Sequence, residues 1–83
     1  MQAELFSPEE IAESNLRAAI IGEIVMARQE QGISQKQLET MSGVRQPVIA
    51  RMEKGKSNPQ LDTVLKVLAS LGKTLAIVPL DSN

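Results

Sequence analysis

The residues of this chain that could do chemistry are polar side chains spaced along one face of a short predicted helix. Gln46 and Arg51 lie on the outward face of that helix, opposite Ile49 and Met52. Both polar side chains can bond base edges bidentately, so the pattern suits reading in a DNA major groove. The alternative is an ordinary amphipathic helix with a solvated polar face. The helix cap, the glycine turn and the polar helix start that precede these residues favour DNA reading.

Catalysis has little support in the same composition. The chain has no histidine and no cysteine, which argues against imidazole and thiolate chemistry, disulfides and ordinary zinc or haem sites. Carboxylates are present, but no nucleophile–base pair, phosphate-cradling glycine loop or metal-ligand cluster accompanies them. We therefore expect no enzymatic activity, no cofactor, no metal and no small-molecule ligand.

Two short helices joined by a tight turn, within residues 34–53, position the polar face. Ser34 and Gln37 have the spacing of a capping box that starts the first helix. Gly43 ends it, because a residue without a Cβ can adopt the left-handed conformation of a sharp turn. The second helix begins just before Pro47, which is tolerated because first-turn amides have no partner inside a helix.

A longer helix precedes this pair and another follows it. The first covers residues 8–31, starting at Ser7-Pro8 and ending before Gly32; the sequence leaves open whether residues 8–15 are a separate helix. Its inner stripe is formed by Ile20 or Ile21, Ile24, Ala27 and Arg28. The last helix ends at Gly72, and its stripe is expected to be core: Leu61, Val64, Leu65, Leu68 and Leu71.

Apolar side chains also occur on other faces of the first long helix, namely Ile11, Leu16, Ile21 and Val25. A helix that is apolar on more than one face usually has a second partner.

Residues 73–80 change period and are predicted to form a strand, with Thr74, Ala76 and Val78 alternating with Leu75 and Ile77. A lone strand cannot satisfy its own backbone groups. The same strand of a second copy is a suitable partner, so we expect an antiparallel pair across the two-fold axis of a homodimer. The alternative is an unpaired tail lying on the core.

Charge is unevenly distributed although the chain carries a net charge of only −1. Residues 1–30 carry −4, residues 31–58 carry +3 and the remainder is neutral. Such asymmetry suggests two surfaces with different partners. The length suits one small domain with an aliphatic core, since Phe6 is the one aromatic residue. Neither a membrane span nor a signal-like N-terminus is expected, which fits a cytoplasmic protein.

The segment from Gly32 to Gly72 resembles the lambda-repressor-like helix-turn-helix domain of the Xre type. The matching positions include Gly32, Ser34, Gln35, Leu38, Gly43, Val44, Gln46, Ile49, Arg51, Glu53, Gly55, Pro59, Leu61, Leu65, Leu68 and Gly72. The resemblance implies a mainly α fold, a bundle of four to five helices, to which the C-terminal strand is added. The short domain and terminal strand look more narrowly like antitoxins of HigBA-type toxin–antitoxin pairs.

The resemblance implies a role for each matching residue. Gln35 would contact a phosphate and brace Gln46, which would read a base edge. The whole DNA-contacting set would be Gln35, Arg45, Gln46, Pro47, Arg51, Lys54, Lys56, Ser57 and Asn58. Arg28 and Glu53 match a partly buried salt bridge of the family. Three positions depart from the pattern: Glu39 replaces a small alanine, Ser42 a leucine, and Arg45 the usual Ser or Thr cap.

The resemblance also implies an acidic surface for a basic ribonuclease toxin of the HigB or RelE type. We expect it in an N-terminal extension, residues 1–16, at Phe6, Glu9, Glu10, Ile11 and Glu13. Residues 17–72 would be the DNA-binding domain and residues 73–83 the dimerisation strand and tail. The expected function is an antitoxin that neutralises the toxin and, as a dimer, represses its own operon at operator DNA. Alternatives are a stand-alone regulator and an interaction module that has lost DNA binding.

Overall fold

Four helices form the regular secondary structure of the part of the chain that the computed structural model describes. That part is residues 8–79, with the side chains of Pro8 and Glu10 excepted. In chain order the helices are α1 (Pro8–Glu30), α2 (Gln35–Ser42), α3 (Gln46–Glu53) and α4 (Leu61–Ser70). The predicted mainly α fold is confirmed. Residues 8–15 continue into the rest of α1 without a break, so they are not a separate helix.

The ends of α1 and α2 follow from short-range sequence signals. Gly32 takes φ +69° after α1, and the amide of Ile33 bonds back to the carbonyl of Arg28 at 3.0 Å. The capping box of α2 is confirmed: the amide of Gln37 donates to Ser34 Oγ at 3.0 Å, and Gln37 Oε1 accepts from the amide of Ser34 at 2.8 Å. Gly43 closes the helix at φ +79°.

The core lies where α2 packs against α3 and α4, with α1 crossing α3. Its fully buried side chains are Ile24, Leu38, Ile49, Met52 and Val67. The remaining buried members are Ala27, Val44, Val64, Leu68 and Leu71, and Ile20, Ile21 and Ile33 pack against them. The predicted inner faces of α1 and α3 are confirmed by this list.

The predicted core stripe of α4 is partly wrong. Leu61 is 65% exposed and Leu65 is 40% exposed, whereas Val67 is completely buried. The inward face follows the spacing Val64, Val67, Leu68 and Leu71. Leu65 lies about 100° around the helix from Val64, and Leu61 sits in the first turn, beyond the region covered by α2.

Residues 73–79 form no regular secondary structure in this single chain, so the predicted strand is not present there. Its last residue, Leu80, lies outside the described residues. A strand needs a neighbouring strand to hydrogen-bond with, and the other described elements are helices. The side chains of the segment are exposed, Ile77 fully so and Val78 at 72%.

Within residues 8–79, no helix is long and apolar enough to cross a membrane. The same part of the chain contains no group of three or more potential metal-ligating side chains.

Candidate nucleic-acid interface

A chain of hydrogen bonds links three helices beneath the predicted reader face. Gln46, at the start of α3, donates from Nε2 to Gln35 Oε1 at 2.8 Å. Gln35, at the start of α2, donates in turn from Nε2 to Glu53 Oε1 at 2.9 Å. Glu53 is held by Arg28 of α1 through two parallel bonds of 2.7 and 2.8 Å. The side chain of Gln46 is therefore positioned by residues from all three helices.

The ion pair at the inner end of this chain is well shielded. The side chains of Arg28 and Glu53 are only 14% and 7% exposed, and a bidentate pair of this geometry is strong and directional. Arg28 also donates from Nη1 to the carbonyl of Ile33 at 3.0 Å. Hydrogen bonding with Glu53 raises the pKa of Arg28 above its usual value, although partial burial works in the opposite direction.

The cationic residues of the predicted interface surround Gln46 in the sequence and are solvent-exposed. Arg45 directly precedes α3, Arg51 lies in its last turn, and Lys54 and Lys56 follow it. Pro47 is also exposed, in the first turn of α3. Exposed guanidinium and ammonium groups can bind phosphate or base edges without first breaking an internal contact.

Glu39 contributes to the site in a way that the sequence analysis missed. It is half-buried, and its solvent-shielded Oε1 lies 2.9 Å from Lys36 Nζ. The ammonium group of Lys36 and, to a smaller extent, the backbone N–H of Gln46 lower the pKa of Glu39, while burial partly opposes them. The carboxylate thus lies at the N-terminus of α3, where Arg45 provides no side-chain cap. A negative charge there interacts favourably with the helix dipole.

Ser42 also has a local role that replaces the expected leucine packing. Its hydroxyl donates to the carbonyl of Leu38 at 2.7 Å and accepts from the amide of Val44 at 3.1 Å. The serine therefore ties the end of α2 to the turn, so two departures from the family pattern add polar contacts around the turn. The combination of a missing cap and a nearby new carboxylate was the available sequence signal for Glu39.

The predicted phosphate-binding loop faces a different part of the molecule. Lys54 and Ser57 line a groove of about 580 Å³ against α1, which contributes Ala18, Gly22 and Met26. Asn58 lines a smaller groove of about 190 Å³, also against α1. Arg28, Gln35, Gln46 and Glu53 are joined by hydrogen bonds, whereas the loop residues do not belong to that network.

The predicted toxin-facing residues lie on the outer part of α1. Glu9 and Glu13 are exposed, Ile11 is 38% exposed, and Glu13 pairs with Arg17 at 3.1 Å. Phe6 and the side chain of Glu10 lie outside the described residues. Leu16, at 62%, is the more exposed apolar side chain and was not among the predicted site residues.

The predicted dimerisation segment begins beside α1. Thr74 and Leu75 line a groove of about 480 Å³ with Leu16, Ala19 and Ile20 of α1. Further along, Ala76, Ile77 and Val78 are exposed. The segment therefore presents apolar side chains that its own chain does not cover.

The helix pair with its sharp turn, and the glutamine–arginine face on its second helix, define a helix-turn-helix protein. A family model described as helix-turn-helix matches residues 24–78, and the chain belongs to this family, as its resemblance to the Xre type indicates.

A relative from Haemophilus influenzae, named an uncharacterized HTH-type transcriptional regulator, is 66% identical over 79 residues. The match covers 95% of this chain and 81% of the relative. A solved structure titled "Toxin-Antitoxin module from Streptococcus pneumoniae" contains a chain that is 74% identical. It superimposes with a TM-score of 0.80 over 96% of this chain and 88% of its own length.

Proposed function

We propose that this protein is the antitoxin and repressor of a toxin–antitoxin pair. As a dimer it binds operator DNA to repress its own operon, and it neutralises an mRNA-cleaving toxin of the HigB or RelE type. The observation that carries this proposal is the 74% identity, over 96% of the chain, to a chain in a solved toxin–antitoxin module.

The DNA-binding half is supported by the reader face on α3. Gln46 is braced from below, Arg45 and Arg51 are exposed beside it, and residues 31–58 carry a net charge of +3. Cations bind phosphates and set affinity, whereas Gln46 and Arg51 supply sequence preference through base edges. Binding is therefore expected to weaken steeply with added salt.

Charge reversal tests this half on duplex DNA from the protein's own upstream region. Arg51→Glu is expected to abolish binding and to leave the helical circular dichroism signal intact. Lys66→Glu is the matched control, because it makes the same charge change at an exposed position of α4 away from the reader face. Unchanged binding by Arg51→Glu would contradict the assignment. A footprint should show two half-sites about 34 Å apart.

The dimer is supported by the uncovered apolar segment at residues 74–78. Pairing with the same segment of a second copy would satisfy the backbone groups and cover Ile77 and Val78. Removal of residues 73–83 is expected to give a folded monomer by light scattering, whereas removal of residues 80–83 should leave the dimer intact. A dimer that survives the longer truncation would exclude this mode of pairing.

The toxin-binding half is supported by the outer surface of α1 together with its charge. Residues 1–30 carry −4, and Ile11 and Leu16 expose apolar surface beside the carboxylates. An acidic rim around apolar side chains is complementary to a basic protein partner. DNA, with its phosphate charge, would be repelled by the same surface.

Two exposed leucines provide a matched test of this surface. Leu16 on α1 and Leu61 on α4 are 62% and 65% exposed, so aspartate at either position should leave the fold intact. With a small basic protein encoded next to the gene as the partner, Leu16→Asp is expected to lose co-purification and Leu61→Asp to retain it. Retention by both variants would place the interface elsewhere on the chain.

The second candidate is a stand-alone transcription regulator, in which residues 1–30 act only as scaffold. The name of the Haemophilus influenzae relative favours it. The two candidates differ in genomic context, because only the antitoxin requires a small basic reading frame beside its own.

A further inference from the structure

The hydrogen-bond chain beneath the reader face has a direction that its charged end determines. Glu53 is a carboxylate paired with a guanidinium, so it accepts hydrogen bonds and has none to donate. Gln35 must therefore face Glu53 with its Nε2, as the 2.9 Å bond shows. Its Oε1 then points to Gln46, and only the Nε2 end of Gln46 can donate to it, at 2.8 Å.

The remaining atoms of the Gln46 amide are fixed by the same reasoning. One N–H is used on Gln35, which leaves Oε1 and the second N–H available for a ligand. In the major groove, adenine presents an N6 amino donor beside the N7 acceptor, and guanine presents the two acceptors O6 and N7. An amide that offers one acceptor and one donor matches adenine at both atoms. Against guanine its oxygen would face another oxygen.

We infer that Glu53 is a specificity-determining residue: through Gln35 it fixes the amide polarity of Gln46, so that Gln46 reads adenine in the DNA major groove. Glu53 touches no base and acts as a positioning residue. Its burial protects this function, since water cannot easily supply a competing donor to a carboxylate that is 7% exposed. The inference rests on the proposed DNA-binding function and specifies the base that one of its residues recognises.

The experiment first locates the base pair that Gln46 contacts. Duplexes with a randomised central segment are selected with the full-length wild-type protein and sequenced, and the selection is repeated with Gln46→Ala. The wild type is expected to prefer adenine over guanine by about tenfold or more at one base pair of each half-site. In Gln46→Ala this preference should disappear and the preferences at other base pairs should remain.

Glu53→Gln then tests the direction of the hydrogen-bond chain. A glutamine at this position has an N–H₂ group of its own, so Gln35 is no longer required to present Nε2. The adenine preference at the Gln46 base pair is expected to fall to about threefold or less. Because Glu53→Gln also weakens the ion pair, Gln35→Met provides a second variant that removes the link but keeps the pair, with the same loss expected.

A purely structural role for Glu53 would weaken binding to every sequence equally and leave the adenine-to-guanine ratio unchanged. Gln31→Ala is the matched control, because it removes a bond of 3.0 Å to the carbonyl of Leu71 outside the network; its ratio should equal that of the wild type. The inference is overturned if both network variants keep the preference, if guanine is preferred, or if Gln46→Ala changes no base pair. Selection of no sequence by the wild type would instead overturn the proposed function.

Discussion

The α2–α3 unit and the outer surface of α1 with the C-terminal segment differ in how their side chains are satisfied. In the first region, polar groups bond to one another, from Arg28 through Glu53 and Gln35 to Gln46. In the second, Leu16 and Ile77 are exposed at 62% and 102%. The first surface is ordered before any partner arrives, which lowers the entropic cost of recognition. The second gains its stabilisation only when a partner covers it.

Two arginines of α1 give the largest expected contrast between the regions. Arg28→Ala leaves the shielded carboxylate of Glu53 unpaired and should lower the free energy of unfolding by about 3 kcal/mol. Arg17→Ala breaks an exposed pair, 41% and 70% accessible, and should change it by less than about 1 kcal/mol. Urea titration followed by circular dichroism measures both. Equal effects would show that the network adds no stability to the reader region.

Substitution of Gly43 is expected to have the next largest effect. Its φ of +79° lies in the left-handed region, where an L-residue with a Cβ costs about 1–2 kcal/mol. No heavy atom lies within 4 Å of the added Cβ, so Gly43→Ala should destabilise through backbone strain alone. Thermal unfolding checks this; an unchanged melting temperature would mean that the turn adapts without strain.

Gly22→Ala, on α1, is expected to have the opposite sign. Gly22 lies inside the helix, is exposed, and has no heavy atom within 4 Å of an added Cβ. Alanine should therefore stabilise the fold by about 0.5–1 kcal/mol, because it loses less backbone entropy on folding. The same urea titration measures the gain. Loss of toxin capture by this more stable variant would assign the neighbouring groove to the partner.

The smallest expected effect concerns the carboxylate of Glu39. Because its pKa is lowered in the folded chain, its ionised form stabilises the fold above the ordinary glutamate pKa, and this contribution is lost as pH falls through the folded value. Wild type and Glu39→Gln should differ in urea midpoint at pH 7 and converge near pH 3. Glu23→Gln, at an exposed position of α1, controls for removal of a carboxylate. A gap independent of pH would contradict this account.

The helix ends could be predicted from sequence because their causes are local. The Ser34–Gln37 capping box and the left-handed Gly43 depend on residues three or four positions apart. The inward face of α3 was predictable for the same reason. The inward face of α4 was not fully predictable, since Leu61 and Leu65 have helical spacing and are nevertheless uncovered by the neighbouring helices.

The site was less accessible to prediction because it depends on contacts distant in sequence. Gln35 and Gln46 were paired only through the family resemblance, and their link to Glu53, 18 residues from Gln35, required coordinates. The position of Glu39 against the next helix likewise needed the crossing of α2 and α3. The strand at residues 73–80 depends on a second chain, which a sequence pattern can suggest but a single folded chain cannot supply.

The length of α1 has a consequence for amide exchange with solvent. Its core residues begin at Ile24, with Ile20 and Ile21 partly buried, so the turns before them are held mainly by their own backbone bonds. Isolated helical segments of about 12 residues are marginal in water. Deuterium should therefore enter residues 8–19 through local opening, long before it enters the end of the helix near Arg28. Slower exchange in those early turns would report that something has bound to them.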